Sequence, residues 1–348
     1  MKFPIDIKHR PVSILSLFDG YGGGIESFKR AGFKIKEYHA FEIDKYCIKV
    51  AKANHPEIIH HGCVKKADFK KFRGIDFLIG GSPCQGFSFV GRGLGFRDPR
   101  SRLVLEFFRA KYESAATFFL LENTKMRENH SGIISELMGV EYIELNSAKF
   151  SAQNRIRNYW CNWKVNSVND LRGGVMLSSI LENRIPNIAG ARIVGRRLNS
   201  KGNREDKNKS IPVKQYIELR ADNKANCLTT AFKDSVIAYK LSDKELAYMN
   251  RKVADGRDHW DFKHHSDSKN PKSSCLVANL FKGVPYNVLI DRFNNEILYR
   301  KFTRVECERL QTLPDNYTEL VSETQAYKMI GNGWNIETIK HILNSEDL

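Results

Sequence analysis

Val12-Ser13-Ile14-Leu15-Ser16-Leu17-Phe18, followed directly by Asp19-Gly20-Tyr21-Gly22-Gly23-Gly24, is the stretch on which the fold turns. The run from Val12 to Phe18 is mostly apolar and predicts a buried strand. Glycines immediately after a strand let the backbone turn sharply and approach a ligand closely. A helix is expected from about Ile25 to Ala31. Strand, glycine turn and helix open a nucleotide-type α/β unit, although the spacing is not the dinucleotide G-x-G-x-x-G. A tight turn without a ligand is the plainer reading of the same residues.

Working outward, a second strand near Glu37 to Phe41 ends in Glu42, which is well placed to accept hydrogen bonds from a ribose. Asp44 can cap the helix that follows. Ile75 to Ile79 and Thr117 to Leu121 predict two further buried strands. Strands separated by helical patterns predict βαβ units, so the class is α/β with a mostly parallel, Rossmann-like sheet covered on both faces. Composition changes after Trp163. From Ala191 to Ser210 there are seven Lys or Arg against two acids, and periodicity stays weak to about Asn295. A short echo links Cys227-Leu228-Thr229 with Cys275-Leu276-Val277. Thr303-Arg304-Val305-Glu306 and Ser322-Glu323-Thr324-Gln325 each fit a capping box opening a helix. The expected division is 1–163, then a smaller irregular domain over 164–298, then a helical return over 299–348 that completes the first domain.

The chain's 348 residues, 41% of them hydrophobic, can bury a sizeable core. Its 56 Lys and Arg against 40 Asp and Glu give a net charge of +16, which favours a polyanionic partner. No stretch approaches the roughly 20 apolar residues of a membrane span, and Met1 to Pro11 lacks the apolar run of a signal peptide. The seven cysteines are scattered with no C-x-x-C pair, and the double histidines at 60–61 and 264–265 lack neighbouring ligands. Neither a disulfide frame nor a metal site is expected. The setting that follows is cytoplasmic.

Three further segments carry chemistry. Gly80-Gly81-Ser82-Pro83-Cys84-Gln85-Gly86-Phe87-Ser88 places a thiol just past a strand, where open α/β sheets hold their catalytic groups. A lone cysteine is more often a small buried hydrophobe, but the proline and glycine frame tilts Cys84 towards reactivity. In Leu120-Leu121-Glu122-Asn123 a carboxylate leaves an apolar strand partly desolvated, which suits it to work in the protonated form. A helix-capping acid is the alternative. In Gln153-Asn154-Arg155-Ile156-Arg157 two arginines share one strand face and could hold an anion or orient that carboxylate; a solvated pair is the alternative.

In this order the four segments resemble the DNA cytosine-5 methyltransferase family. Two more pieces extend the resemblance: Arg304 to Pro314, and Gln325-Ala326-Tyr327 with Gly331-Asn332-Gly333. It covers nearly the whole chain apart from an insert between about 165 and 295, which in that family is the target-recognition domain. The resemblance implies methyl transfer from S-adenosylmethionine to carbon 5 of a cytosine flipped out of double-stranded DNA. It implies Cys84 as nucleophile, Glu122 as the partner of cytosine N3, and Arg155 and Arg157 as its supports. Phe18 would stack on the cofactor's adenine, Glu42 would bind its ribose, and Asn332 would close its methionine end. Gly20, Gly22, Ile43, Cys63, Val64, Pro83, Leu103 and Trp334 would complete that pocket. Gln85, Ser88 and Asn123 fall on the substrate side. No metal and no membrane are implied. A monomer is, associated with the nucleoid of a prokaryotic or phage-infected cell and of the kind found in restriction-modification.

Some positions depart from the family pattern. Cys63 stands where an acid usually bonds the adenine, and Thr124 replaces a valine. Gly333-Trp334 replaces the commoner serine after Gly331-Asn332 and, with Tyr159-Trp160, leans towards the de novo animal branch. An RNA cytosine-5 methyltransferase of the same fold is the nearest rival, but its Cys-Phe-Thr tripeptide is absent. A DNA-binding relative without catalysis is the other, and intact Cys84, Glu122, Arg155 and Arg157 argue against it.

Overall fold

The structure is a computed structural model that describes residues 7–83, 101–168, 175–182, 188–200, 203–220, 222, 224–228, 236–240 and 297–345. The chain divides into two units. One comprises 1–175, 227–230 and 304–348, the other 176–226 and 231–303.

In the first unit β1 (Val12–Leu17), β2 (Ile35–Phe41), β3 (Ile58–His60), β4 (Phe77–Gly81), β5 (Phe118–Thr124), β6 (Ile143–Asn146) and β7 (Ile156–Cys161) form one sheet. The order is β3-β2-β1-β4-β5-β7-β6. β7 runs antiparallel to both β5 and β6, while β1 to β5 are mutually parallel. Helices α1 (Gly23–Arg30), α2 (Lys45–Asn54), α3 (Val104–Ser114) and α4 (Glu128–Met138) connect the strands.

Successive side chains leave a strand on opposite faces, and both faces here are buried. Ile14, Phe77, Ile79 and Leu120 join Ile25 and Phe28 of α1 in one apolar layer. Leu15, Leu17, Leu78 and Leu121 join Phe107 of α3 and Ile134 of α4 in the other. Burial on both faces is why these strands read as continuous apolar runs instead of alternating ones. Asp44 caps α2 as expected, its carboxylate accepting from the Tyr46 N–H.

The sheet also decides where the elements stop. The strand expected at Thr117 to Leu121 continues through Glu122 and Asn123 to Thr124, because the antiparallel neighbour pairs Glu122 with Tyr159 and Thr124 with Arg157. Residues just past Trp163 stay with the first unit: the Trp163 indole donates to Ile342 O at 3.0 Å and Asn166 N donates to Ser345 Oγ at 3.1 Å.

The second unit contains α5 (Leu177–Ile180) and an antiparallel sheet of β8 (Ile188–Arg196), β9 (Lys214–Leu219), β10 (Val236–Lys240) and β11 (Ile297–Lys301). Its order is β11-β10-β8-β9. Because β11 pairs along β10, this unit runs to Thr303. Its basic run is partly committed inside the hairpin: Arg192 and Arg196 both pair with Glu218, and Arg197 donates to Ile211 O at 2.9 Å. Lys201, and the Cys275 half of the sequence echo, lie outside the described residues.

The first unit is completed by α6 (Arg304–Leu310), α7 (Glu323–Asn332) and α8 (Ile336–Leu343). Ser322 stands at the start of α7 but makes no side-chain cap hydrogen bond, so the expected capping box is not formed there. Asn335 caps α8 through Thr338 N. Among the described residues no helix is long and apolar enough to cross a membrane.

Candidate active site

The carboxyl ends of β1, β2, β4 and β5 open on a cavity of about 380 Å³ in the first unit, the position at which open α/β sheets hold ligands. Phe18, Gly20, Glu42, Ile43, Pro83, Glu122, Arg155, Arg157, Asn332 and Trp334 all line it. Those ten residues, scattered over more than three hundred positions of sequence, are brought together. Gly22, Cys63, Val64, Leu103 and Asn123 are not in the lining. Gly22 precedes α1 in a left-handed conformation, and Val64 and Leu103 pack with the apolar layer around Phe107. Cys63 stands half-buried at the start of the short turn Val64–Lys66. Cys84, Gln85 and Ser88 lie outside the described residues.

One end of the cavity is built from paired charges. Glu122 is 7% exposed. Arg157 Nε stands 3.1 Å from its Oε1, and the Trp334 indole N–H donates to its Oε2 at 3.2 Å. Arg155 reaches past the carboxylate and pins backbone, donating to Leu228 O at 3.2 Å, Gly331 O at 3.2 Å and Gly333 O at 2.8 Å. Both guanidiniums also meet the sulfur of Cys227, at 3.3 Å from Arg155 and 3.5 Å from Arg157. Burial opposes ionisation of that thiol, but Arg157 and Arg155 outweigh it and hold its pKa below the ordinary value. Burial likewise works against the Arg157 charge, and Cys227 and Glu122 more than compensate.

At the other end Lys328 pairs with Asp44 at 2.9 Å, while Glu42 and Asp19 make no ion pair among the described residues. Glu42 accepts from Gly20 N at 2.9 Å through one oxygen, and from Ile43 N and Asp44 N at 2.7 and 2.8 Å through the other. It therefore ties the end of β1 to the end of β2. Asp19 is buried, accepts from the Tyr38 hydroxyl at 2.6 Å, and leaves its second oxygen without a partner among the described residues. Burial, with Glu42 adding to it, pushes the Asp19 pKa up to about 6 against the opposing pull of the nearby Ser16 and Tyr38 hydroxyls. Phe18, between them, takes a φ of +58, a strained value for a residue with a side chain.

Asn123, read from the sequence as a substrate-side group, donates to the Ser82 hydroxyl at 2.9 Å and to its carbonyl at 3.2 Å. It braces the strand exit that leads into Pro83 and Cys84. Asp19, Tyr21 and Cys227 are site residues the sequence reading passed over. An acid inside the glycine turn was the signal for Asp19, and the Cys-Leu-Thr echo marked Cys227, but nothing in the spacing tied it to Arg155. Among the described residues no cluster of His, Cys, Asp or Glu could hold a metal ion.

The sequence model described as C-5 cytosine-specific DNA methylase matches residues 12–346. The chain is 31% identical to the type II methyltransferase M1.ScrFI of Lactococcus lactis subsp. cremoris, covering 94% of this chain and 76% of that one. It is 27% identical to the type II methyltransferase M.NgoPII of Neisseria gonorrhoeae, covering 93% and 92%. Among solved structures, a putative DNA modification methyltransferase encoded within an E. coli prophage superposes with a TM-score of 0.53 at 20% identity, over 96% of this chain and 97% of that one. A mutant of DNMT2 from Spodoptera frugiperda superposes with a TM-score of 0.56 at 19% identity, over 95% and 98%. At such identities the superpositions speak for the fold.

Proposed function

The chain belongs to the C-5 cytosine-specific DNA methylase family and is a DNA cytosine-5-methyltransferase, and on that premise we propose how its residues divide the reaction. S-adenosylmethionine, when bound, supplies the methyl group. The cavity fits a cationic ligand of that kind: the unpaired buried oxygen of Asp19 and the Glu42 carboxylate make one end electronegative. Phe18, Gly20, Glu42, Ile43 and Asn332 hold it.

Carbon 5 of cytosine is a poor nucleophile. Addition of the Cys84 thiolate at carbon 6, with Glu122 holding a proton at N3, makes carbon 5 enamine-like and able to take the methyl group. Loss of the carbon 5 proton then lets the sulfur leave and restores the ring. Arg157 fixes Glu122 for this step, and Arg155 fixes the backbone that closes the site. Carbon 6 is hidden in a stacked duplex, so the base is flipped into the cavity at a cost of a few kcal/mol. Phosphate contacts from the basic second unit offset that cost, and contacts from the same unit to base edges read the target, which gives the unit its role as the target-recognition domain. The enzyme acts as a monomer on double-stranded DNA in the cytoplasm.

The observation that carries this reading is Glu122, buried in the cavity wall with an arginine on one oxygen, one strand over from the Pro83–Cys84 exit. A duplex with 5-fluorocytosine at the target tests it, because fluorine cannot leave carbon 5 as a proton does. Wild-type protein with cofactor should form a covalent complex stable to denaturant, and Cys84→Ser should not. A complex formed equally by Cys84→Ser would remove Cys84 from the role.

A further inference from the structure

Trp334 is implied by family resemblance as a cofactor contact, yet its indole N–H is turned onto the carboxylate of Glu122. Nε1 stands 3.2 Å from Oε2, while Arg157 Nε stands 3.1 Å from Oε1. We propose that Trp334 is a positioning residue for Glu122, fixing the plane of its carboxyl group together with Arg157 before the base arrives. This rests on the reading of Glu122 as the group that meets cytosine N3.

The need for a second holder follows from torsional freedom. The last torsion of a glutamate is broad, so a contact on one oxygen leaves the carboxyl free to swing about it. An ion pair on one oxygen and an N–H donor on the other remove that freedom. Indole N–H and guanidinium are donors only and cannot take the carboxyl proton at any working pH. They hold the group without competing for the proton it must keep or lose.

The surroundings lock the indole in place. The Tyr21 hydroxyl donates to Trp334 O at 2.8 Å, Arg155 holds Gly333 O at 2.8 Å, and Asn335 Nδ2 donates to Leu310 O at 3.0 Å. A Cβ at Gly333 would fall 2.1 Å from the Tyr21 ring. A Cβ at Gly81 would fall 2.8 Å from Nε1 and 2.9 Å from Oε2, so the indole and carboxylate meet in space that exists because position 81 has no side chain. Two glycines and a tyrosine are thus arranged around one hydrogen bond.

The test is a double-mutant cycle on the full-length enzyme, read as the single-turnover rate of methyl transfer at saturating cofactor and DNA. Trp334→Phe keeps an aromatic ring and removes the donor. It should slow transfer about tenfold, the size expected for a hydrogen bond to a charged group, and slow the Glu122→Gln enzyme by less than about twofold. Cofactor affinity should stay within about twofold in both backgrounds. Equal slowing in both backgrounds, or a loss of cofactor affinity that accounts for the whole effect, would overturn the proposal. A second measurement avoids any folding defect of Trp334→Phe. In protein labelled with 15N-tryptophan, Glu122→Gln should move one indole N–H resonance, that of Trp334, further than those of Trp160, Trp163 and Trp260. An indole spectrum indifferent to Glu122 in an active wild type would overturn this proposal alone; an inactive wild type would overturn the functional reading beneath it as well.

Discussion

The two ends of the cavity use the same residue type in opposite ways. At the Glu122 end a buried carboxylate is compensated by Arg157, and that guanidinium and its neighbour Arg155 also meet Cys227. At the Asp19 end a buried carboxylate has a hydroxyl on one oxygen, none of the arginines, and a pKa pushed up to about 6. Burying an uncompensated acid is costly. The compensated end is complete as built and presents an ordered carboxyl to a substrate. The Asp19 end leaves one carboxylate oxygen without a partner among the described residues, a place where positive charge would be favourable. On the proposed reading, one cavity separates a place for the reacting base from a place for a cationic cofactor.

Breaking the compensated end should have the largest effect. Arg157→Ala strands Glu122 beside a half-buried thiol, and removing one partner of a buried pair costs about 3 kcal/mol or more. Thermal unfolding should show that loss, and Glu122→Gln in the same background should recover part of it. If Arg157→Ala alone left the melting temperature unchanged, Glu122 and Arg157 would not be compensating each other.

The uncompensated end responds to pH. The Asp19 pKa is raised on folding, so its favourable contribution is present at low pH and is lost as pH rises from about 4 through about 6. The shift corresponds to at most about 3 kcal/mol. Asp19→Asn should flatten that decline and stabilise the free protein near pH 7. It should also weaken S-adenosylmethionine more than S-adenosylhomocysteine, which lacks the sulfonium charge. Stabilisation with equal losses for both ligands would keep the burial argument and remove the cationic one.

The second unit repeats the contrast at smaller scale. Arg192 and Arg196 share Glu218, which offsets one of their two charges, whereas Lys207 and Lys209 are exposed. Each free cation that meets a phosphate contributes about 0.9 to the slope of log affinity against log salt. Lys207→Ala with Lys209→Ala should flatten that slope, and Arg192→Ala with Arg196→Ala should change it less. The reverse order would mean that Glu218 releases its arginines to DNA.

The first strand, the glycine turn and Glu122 were legible because each is a local pattern: an apolar run, a backbone constraint, a carboxylate at a strand exit. What escaped was long-range. Glu122 and Trp334 are 212 positions apart, and Arg155 and Cys227 are 72 apart. No periodicity links residues across a sheet closed by a returning segment. Glu42 was legible as an acid at a strand end, but its three backbone contacts appear only once β1 and β2 lie side by side. The arginines of the basic run looked free because Glu218 sits on the paired strand, at 26 and 22 positions' distance.

Methyl transfer to carbon 5 of cytosine through Cys84 is the step on which the proposed function stands. Nucleoside mass spectrometry of DNA from a methylation-free host expressing the wild type, beside Cys84→Ser, tests it most directly. New 5-methylcytosine in DNA with the wild type and none with the variant is the predicted result. Soluble wild-type protein that leaves DNA unmodified, or that places 5-methylcytosine in tRNA instead, would contradict it.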